Sequence, residues 1–214
     1  GLLSERSLLI GAISHDLKTY LTRLRLRAEG VSDPERRDRL IEDLDAMTAL
    51  IDTSLAFARG TAVEVGRNAV DLADVVAVEI AEHAAQGANI DLTGDDVSDA
   101  VVAGDAGALR RVIANLIGNA VKFGRTQIAV SVGRTGMLCR VVVEDDGAGI
   151  PEAERTAVFS PFHRVERSRN RGTGGSGLGL AIARQIAEAH RGTIVAEASK
   201  LGGARLVVTL PAIP

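Results

Sequence analysis

The sequence is poor in aromatic residues: it has no tryptophan, one tyrosine and four phenylalanines, so aromatics make up 2% of its 214 residues. Proteins that bind single-stranded nucleic acid without sequence preference stack the bases on aromatic side chains. A formal net charge of −3 also gives no excess of cationic groups for a phosphate backbone. Nucleic acid is therefore not an expected partner.

Cysteine and long apolar runs are scarce too. Cys139 is the only cysteine and cannot form an internal disulfide, which fits a reducing compartment such as the cytosol. No apolar run approaches the roughly 18 residues that a membrane-spanning helix needs, and no signal-peptide pattern opens the chain. A zinc site is not expected, because the four histidines are scattered: His15, His83, His163 and His190.

Residues 1–60 have the periodicity of two helices. Gly30 and the following VSDPE break the pattern, with Asp33 suited to the N-cap and Pro34 to the first position of the second helix. A hairpin of about 60 residues cannot cover its own apolar face, so we predict that it dimerises into a four-helix bundle. The two apolar stripes are Ile13, Leu17, Leu21, Leu24 and Val31, then Leu40, Leu44, Met47, Ile51, Leu55 and Ala58.

The rest of the chain alternates helices and strands. The stretch GTAVEVGRN breaks the periodicity and predicts a linker, assigned to residues 61–69, before a second domain at 70–214. Strand patterns outnumber helical ones, which predicts an α+β sandwich with helices on one face of a mixed sheet. A long loop at 152–176 is typical of a functional segment. Helices are predicted at 71–86, 106–123 and 177–190, and strands near 89–93, 100–103, 127–132, 138–144, 193–197 and 205–210.

The segment NLIGNAVKF places three polar residues on one helix face. Asn115, Asn119 and Lys122 stand at i, i+4 and i+7. Amide oxygens suit a hard cation such as Mg²⁺, and a lysine one turn further on can reach phosphate oxygens. Taken alone, a solvated polar face is the alternative interpretation.

The segment VEDDGAGIP ends an apolar strand with Asp145, followed by Gly147 and Gly149. A carboxylate at a strand end can accept a hydrogen bond from an exocyclic amine such as that of adenine. Neighbouring glycines let a flat ring approach the backbone. An acidic β-turn without a ligand is the alternative.

Five glycines lie between Gly172 and Gly179 in GTGGSGLGL, just before a predicted helix. Glycine lets the backbone approach an anion, and the N–H groups at a helix start can bind it, so we predict a phosphate site. Gly172, Gly174 and Gly177 also match the dinucleotide pattern G-x-G-x-x-G, but no strand precedes them and no βαβ unit surrounds them. A flexible loop is the alternative.

The preceding segment FSPFHRVERSRNR combines Phe159 and Phe162 with four arginines. This composition predicts a positively charged flap beside a triphosphate. A solvated basic loop is the alternative for each arginine taken alone.

The order of these motifs is more informative than any one of them. Together with SHDLKT near the N-terminus, they closely resemble the sensor histidine kinases of two-component signalling, from about Leu8 to Thr209. The resemblance implies that the hairpin is the dimerisation and histidine phosphotransfer domain. It also implies that residues 70–214 form a Bergerat-type catalytic domain, which binds ATP and Mg²⁺.

The resemblance gives the motif residues their roles. It implies that Mg²⁺ is held through Asn119 with Asn115 assisting, that Lys122 steadies phosphate oxygens and that Asp145 recognises adenine. The implied ATP-binding set is Asn115, Asn119, Lys122, Phe123, Asp145, Gly147, Gly149, Ile150, Arg164, Gly172, Thr173, Gly174, Gly175, Ser176, Gly177, Leu178 and Gly179.

The same resemblance makes His15 the phosphoacceptor. An imidazole with an ordinary pKa of about 6.5 is largely neutral at pH 7, so one nitrogen can attack the γ-phosphorus of ATP. Asp16 would hold or take the proton of the other nitrogen. Thr19 matches the position that orients water when phosphate is removed from the partner aspartate. The alternatives are an ordinary exposed histidine and a polar filler.

The chain departs from the family at Tyr20, where proline is usual. Tyr20 restores a backbone donor and fills a heptad core position, so we expect a straighter helix here. We expect the steps that depend on bending, including the balance of kinase and phosphatase activity, to be altered.

The expected partners are a second copy of the chain and the receiver domain of a response regulator. The latter would dock near His15, with Lys18, Arg23 and Arg25 as candidate contacts. The chain begins at Gly1 in the middle of a helical pattern, so we expect a cytoplasmic fragment of a protein anchored in the bacterial inner membrane by an upstream part.

Two rival hypotheses remain at this point. One is a catalytically silent, ATP-sensing dimeric scaffold. The other is an ATP-driven clamp of the gyrase, mismatch-repair and heat-shock class, although those proteins lack a histidine hairpin directly before the ATP domain.

Overall fold

The computed structural model describes residues 17, 19–31, 33–34, 36–37, 40–41, 44, 47–48, 68–93, 99–165 and 177–213. The chain divides into two compact units, Gly1–Thr61 and Ala62–Pro214. None of the helices in this described part combines the length and hydropathy that crossing a membrane requires.

The described residues of the first unit are largely helical. Residues 19–29 form one continuous helical stretch, and the helical positions after the break are 34, 36–37, 40–41, 44 and 47–48. The carboxylate of Asp33 accepts a hydrogen bond from the Arg36 N–H at 3.3 Å, so the predicted N-cap is confirmed. Within the predicted stripe, Leu21 is buried, whereas Leu17 and Leu24 are exposed.

The second unit contains seven strands and three α-helices in its described part. The helices are α1 (Leu72–Ala85), α2 (Ala106–Phe123) and α3 (Gly179–Ala189). The strands are β1 (Asn68–Asp71), β2 (Ile90–Leu92), β3 (Val101–Gly104), β4 (Ile128–Thr135), β5 (Leu138–Asp145), β6 (Thr193–Ala198) and β7 (Ala204–Pro211). Two short 3₁₀ helices, Glu152–Glu154 and Ala157–Phe159, follow β5.

Five of the strands form a mixed sheet in the order β2-β4-β5-β7-β6. The pair β2 and β4 is parallel, and the other neighbours are antiparallel. Strands β1 and β3 form a separate antiparallel pair. The predicted mixed sheet with helices is confirmed.

The core lies between the helices and one face of this sheet. Burial alternates along the strands, so that Val130, Val143 and Leu206 occupy paired positions on one face and are almost fully buried. Helix α2 contributes the apolar side of this layer through buried Leu109, Val112, Ile113, Leu116, Ile117 and Ala120. The opposite face carries Arg205, which lies between Glu144 and Glu197.

Two helices begin at aspartate caps. The Asp71 carboxylate accepts from the Ala73 N–H at 2.8 Å, and the Asp105 carboxylate accepts from the Ala108 N–H at 2.6 Å. These bonds satisfy N–H groups that have no partner inside the helix, and they fix where α1 and α2 start. Helix α2 is therefore anchored at its N-terminus, and its last turn lies at the candidate site.

One strand was not predicted. Strand β1 includes Asn68 and Ala69, which lie in the segment assigned to a linker. Its sequence, NAVD, has no alternation of apolar and polar residues that would mark a strand. Only Val70 of the four residues is fully buried. Its partner β3 is distant in the chain, and that pairing defines it.

Candidate functional site

The last two turns of α2 carry the polar residues of the NLIGNAVKF motif. Asn115, Asn119 and Lys122 are all half-buried, whereas Leu116 and Ile117 between them are fully buried in the core. Seven residues separate Asn115 from Lys122, which corresponds to about 10 Å along a helix axis. The motif therefore forms a polar line that ends at the C-terminus of α2.

Asn115 lies against the start of α3. Its Nδ2 donates to the Arg111 carbonyl at 2.9 Å, and a Cβ added at Gly179 would lie 2.9 Å from its Oδ1. Glycine at 179 therefore lets this amide oxygen approach the first residue of α3. Among the described residues, no side chain caps that helix start.

Asp145 stands at the end of β5 and is only 3% exposed. Its Oδ1 accepts from the Gly147 N–H at 2.8 Å and from the Ala204 N–H at 3.1 Å. Burial raises the pKa of Asp145 above its ordinary value, and these two hydrogen bonds partly oppose that shift. The result is a fixed acceptor in a largely dehydrated setting.

The glycines near this carboxylate pack so closely against neighbouring atoms that a Cβ at their positions would clash. A Cβ at Gly147 would lie 2.1 Å from the Phe123 carbonyl oxygen, and one at Gly203 would lie 2.2 Å from Asp145 Oδ1. Gly149 has a φ of +69°, which favours glycine. The end of α2 and the segment after β5 therefore pack together through the backbone of Phe123 and Gly147, with no side chain between them.

Lys122 lies close to a second cation. Burial lowers the pKa of Lys122, and the positive charge of Arg164 lowers it further. The Lys122 Nζ also lies 5.3 Å from the centre of the Phe123 ring. A half-buried lysine that feels the charge of the exposed Arg164 favours a bound anion.

Gly177 connects the segment before the glycine run to α3. Its carbonyl accepts from the Phe162 N–H at 3.0 Å. Its φ is +69°, and a Cβ there would lie 2.9 Å from the His163 carbonyl oxygen. The neighbouring Leu178 is fully buried.

Ile150 is half-buried, and its carbonyl accepts from Arg155 Nε at 3.4 Å.

Several predicted residues lie outside the described part of the chain: His15, Asp16, Gly172, Thr173, Gly174, Gly175 and Ser176. Thr19 and Tyr20 are described, and both are helical and exposed. Tyr20 is 62% exposed in this single chain, and the Arg23 guanidinium carbon lies 5.9 Å from its ring centre.

Sequence reasoning missed Gly203 and Ala204, which contact Asp145 from the start of β7. The paired glycines at 202 and 203 before the last strand were an available signal, but their place depends on the pairing of β5 with β7. Sequence reasoning also missed Asp146, whose carboxylate binds the segment after α2.

The oxygen donors present fit magnesium better than a transition metal. No group of three or more histidine, cysteine, aspartate or glutamate side chains suited to a metal occurs among the described residues. Asn115 has its Nδ2 bound to Arg111, which leaves Oδ1 as its remaining polar atom. Magnesium prefers such oxygens and completes its shell with water and phosphate.

The sequence profile of the histidine kinase-, DNA gyrase B- and HSP90-like ATPases matches residues 104–214. The sensor histidine kinase GtrS of Pseudomonas aeruginosa is 35% identical over 210 residues, covering 98% of this chain and 42% of GtrS. The sensor protein RstB of Escherichia coli K12 is 35% identical over 219 residues, covering 98% of this chain and 50% of RstB. The chain thus spans about half the length of the curated relatives it matches.

Solved structures similar to this chain include an ATP-binding domain and a complex with an ATP analogue. The ATP-binding domain of PrrB from Mycobacterium tuberculosis aligns with a TM-score of 0.56 and 32% identity, covering 69% of this chain and 98% of PrrB's. Full-length ShkA in complex with AMPPNP aligns with a TM-score of 0.74 and 25% identity, over 95% of this chain and 45% of ShkA.

Proposed function

Because this chain belongs to the histidine kinase-, DNA gyrase B- and HSP90-like ATPases, and among them to the sensor histidine kinases, we propose that it phosphorylates His15 with ATP. We further propose that His15 passes the phosphoryl group to an aspartate of a response-regulator receiver domain. The relatives' names and the matched profile support the family, and the geometry of the second unit supports the binding of ATP.

One arrangement supports this proposal most strongly. A buried carboxylate, Asp145, lies among glycines that pack against the end of α2, and Lys122, whose pKa the charge of Arg164 lowers, lies in the last turn of the same helix. The first suits the amino group of adenine and the second suits a triphosphate. A nucleoside triphosphate has these two chemistries in one molecule.

The proposed reaction is a single phosphoryl transfer. The lone pair of one His15 nitrogen forms a bond to the γ-phosphorus as the bond from that phosphorus to the bridging oxygen breaks, and ADP leaves. Asp16 accepts or holds the proton of the other imidazole nitrogen. Asn119, with Asn115 assisting, would hold magnesium, which neutralises charge on the phosphate oxygens. The chain's own contribution is to position ATP and to offset its charge.

Labelling with γ-labelled ATP and magnesium tests the proposal. The wild-type chain is expected to gain a label that is labile in acid and stable in base, and His15→Gln is expected to gain none while still binding ATP. Asn119→Ala should lose labelling, whereas the control Asn89→Ala, at an exposed position before β2, should keep it.

Two outcomes would contradict the proposal. A folded wild-type chain that binds ATP without labelling would indicate a silent ATP-sensing scaffold. Multiple-turnover ATP hydrolysis that continues in His15→Gln would indicate an ATP-driven clamp.

The finer points are also proposals. Thr19 would orient water if the chain removes phosphate from its regulator, and Tyr20 would alter that activity. The exposed Leu17 and Leu24 support a homodimer formed by the hairpin. Placement of this part in the cytoplasm, with an anchor in the rest of the protein, stays a prediction.

A further inference from the structure

Asp146 binds the four-residue segment that follows α2. Its Oδ1 accepts from the Arg125 N–H at 2.7 Å and from the Thr126 N–H at 3.0 Å. Its Oδ2 accepts from the Thr126 N–H at 3.0 Å and from the Thr126 hydroxyl at 2.6 Å. All of these contacts join residues about 20 positions apart in sequence, so they connect two elements rather than shape one turn.

The two elements that Asp146 connects carry the two halves of the candidate site. Helix α2 ends at Phe123, and Gly124 closes it with an N–H to the Ala120 carbonyl at 2.7 Å. The first residue bound to Asp146, Arg125, therefore lies three residues after Lys122. On the other side, Asp146 directly follows Asp145, whose Oδ1 binds Gly147 and Ala204.

We propose that Asp146 is a positioning residue that fixes the spacing between the adenine-binding carboxylate of Asp145 and the phosphate-binding Lys122. This inference rests on the proposed function, since it assigns Asp146 to the same ATP site. Asp146 touches neither end of the nucleotide in this scheme and acts through the segment 124–127.

The chemistry of the contacts suits this role. Hydrogen bonds to an ionised carboxylate are roughly twice as strong as neutral ones. The Thr126 hydroxyl and then the backbone N–H groups lower the pKa of Asp146, so the carboxylate stays ionised, and its contacts persist, over the whole physiological pH range. The segment contains Gly124, which adds backbone freedom once these contacts are removed.

This role predicts an effect that depends on the length of the ligand. A ligand that contacts both Asp145 and Lys122 must hold the two elements at one spacing, and without Asp146 it has to supply that ordering itself. A ligand that contacts only Asp145 or only Lys122 does not have to order the two elements. Loss of Asp146 should therefore weaken the binding of ATP, but not the binding of adenosine alone or of a triphosphate chain alone.

Binding of three probes to the 214-residue chain tests the proposal: ATP with magnesium, adenosine, and inorganic tripolyphosphate with magnesium. Titrations followed by NMR give each dissociation constant for wild type and for Asp146→Ala. We expect the dissociation constant for ATP to rise about tenfold and those for adenosine and tripolyphosphate to change less than twofold. The milder Thr126→Val, which removes only the hydroxyl contact, should change ATP binding in the same direction by a smaller factor.

Asp91→Asn serves as the matched control, because Asp91 is an exposed carboxylate on β2. It should bind all three probes as the wild type does. An equal loss for all three probes in both Asp146→Ala and Thr126→Val would overturn the proposal and leave Asp146 a general stabilising residue. Unchanged ATP binding in folded Asp146→Ala would also overturn it. A wild-type chain that binds no ATP would instead contradict the proposed function itself.

Discussion

At the scale of single residues, Asp145 and Asp146 are chain neighbours in opposite environments. Asp145 is buried and its pKa is raised, chiefly by burial. Asp146 is more accessible and its pKa is lowered, first by its hydrogen bond with Thr126. A group in the first environment suits recognition, because a dehydrated carboxylate binds a donor strongly. A group in the second suits structural support.

Replacing Asp145 tests the recognition of adenine. Asp145→Asn keeps the shape and one oxygen but replaces the second oxygen with an NH₂ group, which cannot accept from the amino group of adenine. Loss of a hydrogen bond to a charged group costs about 1.5–3 kcal/mol, so ATP binding should weaken about 10- to 100-fold. Calorimetric titration of folded protein measures this. Unchanged affinity would remove Asp145 from the site.

Acid should affect the two carboxylates in different pH windows. Asp145 has a folded pKa above its ordinary 3.8, so its charge costs stability above that raised pKa, and the cost disappears as pH falls through it. Asp146 has a depressed folded pKa, so its contribution is complete above 3.8 and is lost only as pH falls toward the lower value.

These windows predict that ATP binding weakens in acid before the fold does. Protonated Asp145 loses its acceptor charge at a pH above 3.8, where Asp146 still holds the end of α2. Parallel measurements of ATP affinity and of circular dichroism between pH 7 and pH 3 check this. Loss of structure at a higher pH than loss of binding would contradict the assignment.

At the scale of elements, α2 contains a glycine that has no steric reason to be there. Among the described residues, and apart from the backbone of its own helix, the nearest atom to a Cβ at Gly118 is His83 Nε2, at 4.0 Å. Alanine in a helix interior is favoured over glycine by about 0.5–1 kcal/mol. We therefore expect Gly118→Ala to raise the free energy of unfolding by that amount, as measured by urea denaturation.

Gly179→Ala is the matched comparison, at the first position of α3. Its Cβ would lie 2.9 Å from Asn115 Oδ1, so the asparagine has to move. This substitution should weaken ATP binding, whereas Gly118→Ala should leave it unchanged. Equal effects of the two substitutions on ATP binding would contradict the place given to Asn115.

The three helices of the second unit were predictable to within one or two residues at each end, because local features define them. Asp105 caps α2, and the apolar residues of this helix recur at helical spacing. Strand β1 was not predictable, because its pairing with β3 is non-local. The site divides in the same way. The motif residues on α2 and after β5 could be found from their spacing, but the contact of Ala204 with Asp145 spans 59 positions and follows from the sheet register.

At the scale of the whole molecule, the helical stretch 19–29 and the preceding Leu17 include leucines that a single chain leaves exposed. Leu17 is 43% exposed and Leu24 is 45% exposed, while Leu21 of the same stripe and Ala28, four residues after Leu24, are buried. The four positions have the alternating spacing of four and three residues that a coiled-coil seam requires. A second copy of the chain, which would place the same residues opposite themselves, is the expected cover.

A charge at Leu24 should separate that dimer. Burial of one leucine side chain contributes about 1.5–3 kcal/mol, and a symmetric dimer buries two copies, so Leu24→Glu should raise the dissociation constant by about 100-fold or more. Leu26→Glu is the control, since Leu26 is 65% exposed and lies two positions further along, on the other side of the helix. Sedimentation equilibrium gives both constants. Equal changes in the two variants, or a monomeric wild type, would contradict a dimer built on this stripe; if Leu24→Glu alone dissociates, the stripe is the interface.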